Sequence, residues 1–388
     1  MSIRRTFLQK SLLLGLFLSL LAVKGECKLG PWGLWTAYAS HFIDGQGRVI
    51  DPQGNDRSTS EGQAYGLFFA LANNDRDHFD RLLNWTQNNM ASGDLATHLP
   101  GWLWGKDKSG QWKTLDSNPA SDADVWMAYT LVEAGRLWKQ PRYTTLGRKM
   151  MTQIAQREVV NLPGLGTTLI PGPTGFQHGK SWMLNPSYLP LFLFERFAFV
   201  DPSGPWKRIA QSIPRLLRES ASHGFAMDWV SYVPGQGFKP VTLQQGKDAE
   251  VPVGSYDAIR VYLWAGMLSA KNSRRAEILQ AVQGMGAYLV NHDSPPAKIG
   301  VQGDPIVQDG PVGFSAAVLP YLRAMPRCEK MFAQQEGRLR EQRDQSSGLY
   351  GKNQGYYDQN LVLFATGYLE DRFQFGLSGE LVLEWARS

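Results

Sequence analysis

Apolar residues recur at helical spacing in twelve stretches of this chain, separated by Gly/Pro punctuation. The stretches are 33–43, 60–73, 76–90, 122–138, 142–158, 187–199, 205–221, 256–269, 273–291, 312–323, 327–344 and 356–370. No Pro/Ser-rich linker or low-complexity block interrupts them. Each helix must bury its apolar stripe against a neighbour, and six αα-hairpins closed into a double-walled barrel achieve this. The pattern therefore predicts an all-α fold in a single domain over 26–388. The tail Arg372–Trp385 alternates in polarity instead, which predicts a short C-terminal β-hairpin turning at Ser378-Gly379. Residues 101–119, "GWLWGKDKSGQWKTLDSNP", read as a long aromatic loop, and a loop of that length argues for function.

In such a barrel successive helices alternate in direction, so all even-numbered helices start at one rim. Those starts are "TSEGQAYG", "SDADVW", "NPSYL", "SYDAIRV", "GPVGFS" and "GYYDQN". The topology predicts that Glu61, Asp122, Asp124 and Asp257 meet at one mouth. Capping is the competing explanation, because helix starts are polar in any protein. It accounts for the Ser and Asp residues, and less well for the aromatics that follow them. Glu61 can be the N3 residue of a capping box begun by Ser58, although Ser60 and Gln63 supply such a box without it. Asp257 can cap its helix or pair with Arg260 three residues on.

Composition narrows the function classes. The chain of 388 residues is 43% hydrophobic, enough for a large core, and its 12% aromatic content, with 13 Trp, suits either that core or a sugar-binding groove. Arg4, Arg5 and Lys10 precede the apolar run Ser11–Val23, which reads as an export signal cleaved near Gly25, with an uncleaved anchor as the alternative. Export places the mature protein in the periplasm or outside the cell. Removing residues 1–25 takes away Arg4, Arg5, Lys10 and Lys24, so the net charge of +5 falls by four to about +1. That balance, without basic–aromatic motifs, gives no reason to expect a nucleic-acid partner. Nucleotide-binding glycine motifs and HExxH are absent and the 6 His are scattered, so no nucleotide, metal or other cofactor is expected. Cys27 and Cys328 are the only cysteines, and an oxidising compartment leaves their pairing open.

Glycoside hydrolysis needs one protonated carboxyl and a second carboxylate, and no cofactor. Here "TSEGQAYGLFFAL" (59–71), "ASDADVWMAYTLVEAGRLW" (120–138) and "SYDAIRVYLW" (255–264) resemble the three signature regions of glycoside hydrolase family 8. The resemblance continues through "LNWTQNNM", "LPGWLWGKD", "NLPGLGTTLIPG", "LNPSYLP" and "GPVGFSAAVLP", covering roughly 30–370 in the same order. It implies an (α/α)6 barrel and inverting hydrolysis of β-1,4-glucan, with Glu61 as general acid, Asp257 as general base and Asp122 holding the sugar at the cleavage point. It is strongest to members encoded beside bacterial cellulose synthase. As partners it therefore implies cellulose chains and the synthase export machinery. Thr130 departs from the family's usual Ser or Ala, inside a helix where packing is affected more than chemistry.

The candidate substrate-binding residues are Trp102, Trp104, Trp126, Trp182, Asn185, Tyr188, Tyr256 and Arg260. Trp126 reads equally as core, Asn185 equally as a cap, and Asp124 as a network or capping partner. A helix N-terminus lowers a carboxylate's pKa, so an acid role for Glu61 requires burial or a neighbouring carboxylate, for which Asp122 is the candidate. Lichenan, xylan or chitosan as the glycan, or a non-catalytic glycan-binding role beside a synthase, remain the alternatives.

Overall fold

The computed structural model describes residues 30–242 and 251–387. The export signal and Cys27 lie outside the described residues; Cys328 is buried. The helices are α1 Gly33–Phe42, α2 Ser60–Ala72, α3 Arg76–Met90, α4 Ser121–Leu137, α5 Pro141–Arg157, α6 Leu191–Val200 and α7 Trp206–Ser220. They continue as α8 Ile259–Met267, α9 Arg275–Ala281, α10 Gly284–Leu289, α11 Val312–Ala324, α12 Glu329–Glu341 and α13 Tyr356–Leu369. All twelve expected helices are present, with one divided. The stretch 273–291 breaks into α9 and α10 where the Gly284 N–H turns outward to the Gly224 carbonyl at 2.9 Å. A Cβ at Gly284 would stand 2.7 Å from that carbonyl oxygen, so only glycine permits this approach. Among the described residues no helix is long and apolar enough to cross a membrane.

The two walls of the (α/α)6 barrel differ as their packing demands. Helices α2, α4, α8 and α11 are buried almost all round, whereas α3, α5 and α12 bury a single stripe and show polar residues outside. The barrel axis is filled with rings from the inner wall. Trp126 of α4 lies 5.2 Å from Trp264 of α8 and 5.0 Å from Phe364 of α13, and Phe68 of α2 stacks on Phe364 at 5.3 Å.

The C-terminal hairpin closes the end of the barrel away from the inner helix starts. Strand 373–375 pairs with 381–383, and Phe375 stacks on Phe192 of α6 at 3.9 Å. Its turn fits because Gly379 has φ 71°, and any Cβ there would sit 1.8 Å from the Phe192 carbonyl oxygen. Tyr129 donates to the Gly379 carbonyl at 2.8 Å. Glu133, fully buried, accepts from the Leu381 N–H at 2.9 Å and pairs with Arg196 at 2.6 Å and with Arg136.

The residues expected to form an aromatic loop are instead a hairpin, 101–106 against 112–119. Its first strand also pairs with Ser58–Thr59, the residues that lead into α2. The alternation of Trp102, Trp104 and Lys106 with smaller residues is the strand signal that the glycines obscure. A four-stranded sheet (177–178, 181–184, 230–233, 237–240) and a three-stranded one (253–254, 298–300, 305–307) are built from further inter-helix segments.

Truncating the hairpin's anchor tests this closure. Phe375→Ala is expected to lower stability by about 3–5 kcal/mol, read from denaturant unfolding, because a buried ring in contact with three inner helices leaves a cavity.

Candidate active site

Four of the inner-wall starts converge on a cavity of about 360 Å³. Its walls include Glu61 from α2, Asp122 from α4, Tyr188 from the turn before α6, and Asp257 and Arg260 at the start of α8. At the centre stands Arg260, only 2% exposed. Its Nη1 donates to Glu61 Oε1, to Asp122 Oδ2 at 2.9 Å and to the Tyr65 hydroxyl at 3.0 Å, while Nη2 donates to Asp257 Oδ1 at 2.5 Å. The guanidinium also lies 5.6 Å from the centre of the Tyr188 ring. One cation thus binds three carboxyls brought from three helices.

Local sequence fixes each acid. Thr59 caps α2 by accepting from the Gly62 N–H at 3.1 Å, so the expected Ser60–Gln63 box does not form. Gln63 turns into the core, accepting from the Val49 N–H at 2.6 Å and donating to Thr86 at 2.8 Å and the Gly47 carbonyl at 3.1 Å. Tyr356 packs so closely on Gly62 that a Cβ there would lie 2.1 Å from its hydroxyl. Asp122 Oδ1 accepts from the Ala123 N–H at 2.8 Å, and Oδ2 faces Arg260. Helix α8 has no side-chain cap of its own. Asp228 provides one from a distance, a single oxygen accepting from the Ser255 and Ala258 N–H groups at 2.8 Å each. Tyr357 holds the same turn by donating to the Tyr256 carbonyl at 2.6 Å.

Burial raises Glu61 to a pKa of about 7, against the opposing pull of Arg260, with Asp122 and then Asp257 adding to the rise. Asp122 is therefore a contributor, as the sequence suggested, but desolvation is the larger cause. Asp122 is itself raised by burial and by Asp257, while Arg260 opposes. Asp228 rises to about 7, through burial and the nearby Asp257.

The other sequence candidates divide. Trp102, 37% exposed, lines the cavity with Tyr188. Trp104 does not: it is stacked on Trp112 at 4.8 Å, with Arg48 over its ring at 4.7 Å. Trp126 lies in the core beneath, 1% exposed. Trp182 packs into the four-stranded sheet opposite Tyr232, away from the cavity wall. Asn185 caps the turn 186–188, accepting from the Ser187 N–H at 3.0 Å. Tyr256 is half exposed against Phe314 and Tyr357, at the rim rather than in the wall. Asp124 is fully buried behind Asp122.

Sequence reasoning missed Tyr65, Phe176, Trp229, Asp228 and Tyr357. Tyr65 had a signal, standing one helical turn after Glu61 on the same face. Phe176 and Trp229 lie in separate inter-helix segments and meet only in the fold, stacked at 5.9 Å in the cavity wall. A roomier cavity, about 530 Å³, lies between α11, α12 and α13, but it holds none of these converging acids.

The sequence model of glycosyl hydrolases family 8 matches residues 7–371. An endoglucanase of Xanthomonas axonopodis pv. citri is 45% identical over 366 residues, 94% of this chain and 92% of that one. An endoglucanase of Escherichia coli K12 is 42% identical over 96% of this chain and 95% of its own. Among solved structures, an endo-1,4-D-glucanase from Vibrio fischeri superposes with a TM-score of 0.82 at 39% identity, covering 92% of this chain and all of that one.

Removing the shared cation is expected to expose the repulsion it offsets. Arg260→Met should cost about 3–5 kcal/mol at pH 7, because it leaves buried carboxyls unpaired. Without the guanidinium, Glu61 and Asp122 bind protons still more tightly in the folded state than in the unfolded chain. The loss should therefore be smaller at pH 5 than at pH 7, as measured by urea unfolding at both.

Proposed function

The chain belongs to glycosyl hydrolases family 8, and on that premise we propose that it is an endo-β-1,4-glucanase acting by single displacement, with Glu61 as general acid and Asp257 as general base. The observation that carries the reading is that these two carboxyls face one cavity from different nitrogens of a single buried guanidinium. The names of the similar endoglucanases support the β-1,4-glucan substrate.

The chemistry follows from the geometry. A pKa of about 7 leaves Glu61 substantially protonated near neutrality. Its Oε1 accepts from Arg260, so Oε2 is the oxygen left to carry a proton to the departing glycosidic oxygen. Asp257 keeps 28% of its side-chain exposure and is ion-paired to Arg260, which suits a carboxylate that takes a proton from water. That water attacks the anomeric carbon from the opposite face of the ring. Inversion needs room for it, roughly 6.5–9.5 Å between the carboxyls. Asp122, sharing Nη1 with Glu61, is assigned to a sugar hydroxyl at the cleavage point. Trp102, Phe176, Tyr188 and Trp229 offer flat apolar faces to neighbouring sugar rings.

The basic-then-apolar segment at the amino terminus supports a periplasmic or secreted location. There the enzyme would trim β-glucan delivered by the cellulose synthase export machinery, in support of cellulose biosynthesis.

Glu61→Gln and Asp257→Asn are each expected to lower kcat on a soluble cellulose derivative by about 10²–10⁴-fold, measured as reducing-sugar release. A loss below tenfold in both would overturn the assignment. Proton NMR of the first product should show the α-anomer. The rate should fall as pH rises through about 7, where free Glu61 gives up its proton, and a kcat/KM profile flat from pH 6 to 9 contradicts the acid role.

A further inference from the structure

Behind the cavity, Asp124 of α4 and Glu158, the residue that ends α5, are each 0% exposed. Their carboxyls face each other within reach of a hydrogen bond. None of their four carboxyl oxygens meets an N–H or O–H donor among the described residues. The charged groups facing the pair are Asp122 on its own helix and Arg157 on α5. Two ionised carboxylates cannot hydrogen-bond, and an unpaired buried charge is costly, so a proton must lie between them.

The backbone around the pair is tightly held. The Glu158 N–H donates to the Ile154 carbonyl at 2.9 Å, and its carbonyl accepts from the Ile170 N–H at 2.8 Å. The residue after Ile170, Pro171, accepts from the Ser121 N–H at 2.9 Å, at the first residue of α4. Helix α4 has no side-chain cap, because Ala120 occupies the N-cap position. The Asp124–Glu158 bond therefore ties the uncapped first turn of α4, which carries Asp122, to the fixed end of α5.

We propose that Asp124 and Glu158 share one proton as a buried acid pair, and that the pair positions Asp122 at the cleavage point. Glu158 keeps the proton and donates it, while Asp124 carries the negative charge near the α4 N-terminus, where the helix dipole favours an anion. Both are positioning residues and act on the sugar only through Asp122. The positioning role rests on the function proposed above; the shared proton does not.

The experiment separates the two. Glu158→Gln replaces the proton donor with an amide that can donate to Asp124, and Glu158→Ala removes the donor. Burial and Asp124 hold the Glu158 pKa well above its ordinary 4.5, so the folded protein keeps a proton that the unfolded chain releases. Folding stability from this pair is therefore greatest below pH 4.5 and is lost as pH rises toward the folded value. Between pH 5 and 7 the folding equilibrium constant of the Gln variant should fall less steeply than that of the wild type, by about tenfold per pH unit. Equal slopes would overturn the shared proton, whatever the substrate is. On a soluble cellulose derivative, Glu158→Ala should lose more than tenfold in kcat with little change in KM, and Glu158→Gln should recover most of it. If the Ala variant keeps the wild-type kcat, or the Gln variant fails to recover it, the positioning role is wrong. If Ala does not fold, the same decision falls to Asp124→Asn compared with Asp124→Asn/Glu158→Gln: the single variant keeps a neutral hydrogen-bonded pair and should retain more kcat, and equality overturns the role. A wild type inactive on every β-glucan defeats the proposed function while leaving the stability test intact.

Discussion

Three carboxyls from helices distant in sequence could not occupy one water-poor cavity without a cation among them. Arg260 is that cation, almost wholly buried and donating to Glu61, Asp122 and Asp257 at once. Two charges held close in a low-dielectric site interact far more strongly than on a surface, so the guanidinium offsets repulsion that would otherwise drive the acids apart. Its planar fork matters, because distinct nitrogens fix distinct directions to the acids, and a lysine ammonium would supply charge without that geometry. Donation to the Tyr65 hydroxyl and packing against Tyr188 keep the fork from turning. The arrangement of the mouth follows from where this one side chain can stand.

The rest of the fold keeps Arg260 in place. The inner helices meet along an aromatic axis in which Trp126, Trp264 and Phe364 touch in pairs, so the helix starts above them cannot drift independently. The C-terminal hairpin closes the opposite end with Phe375, and Glu133 ties that hairpin to α4 through the Leu381 N–H and to α6 through Arg196. A rigid lower core is what lets short polar side chains at the mouth be aimed. Trp126 shows the division of labour: four residues after Asp122 on the same helix, it packs the axis while the acid faces the cavity.

The helical framework was legible because twelve amphipathic or fully apolar stretches leave few ways to bury their faces. The convergence of Glu61, Asp122 and Asp257 was legible too, since alternating helix direction brings the even starts to one rim; Asp124, expected at the same mouth, is instead buried behind it. What escaped the sequence lies in the segments between helices. The 101–119 stretch reads as loop because glycines dilute its alternation, and it becomes a hairpin only by pairing with Ser58–Thr59, some forty residues away. Phe176, Trp229 and Asp228 carry no periodic signal, and their roles exist only through contacts across the fold. Gln63 escaped for another reason. A capping box is a local pattern, and here the buried partners Val49 and Thr86 compete successfully for the same side chain.

Glu61 shows how opposing local effects are resolved. It sits in the first turn of a helix and accepts from an arginine, and both favour its anion. Burial acts the other way and prevails, with Asp122 and Asp257 adding to it, so the pKa rises to about 7. Such a value depends on the balance and not on any single neighbour. A sugar chain entering the cavity would displace water from around Glu61 and deepen the desolvation, while hydroxyls competing for Asp122 and Asp257 would change how the guanidinium divides its hydrogen bonds. Both changes act on the proton of Glu61 through groups already in contact with it. The cation that assembles the site therefore also connects substrate binding to the readiness of the acid.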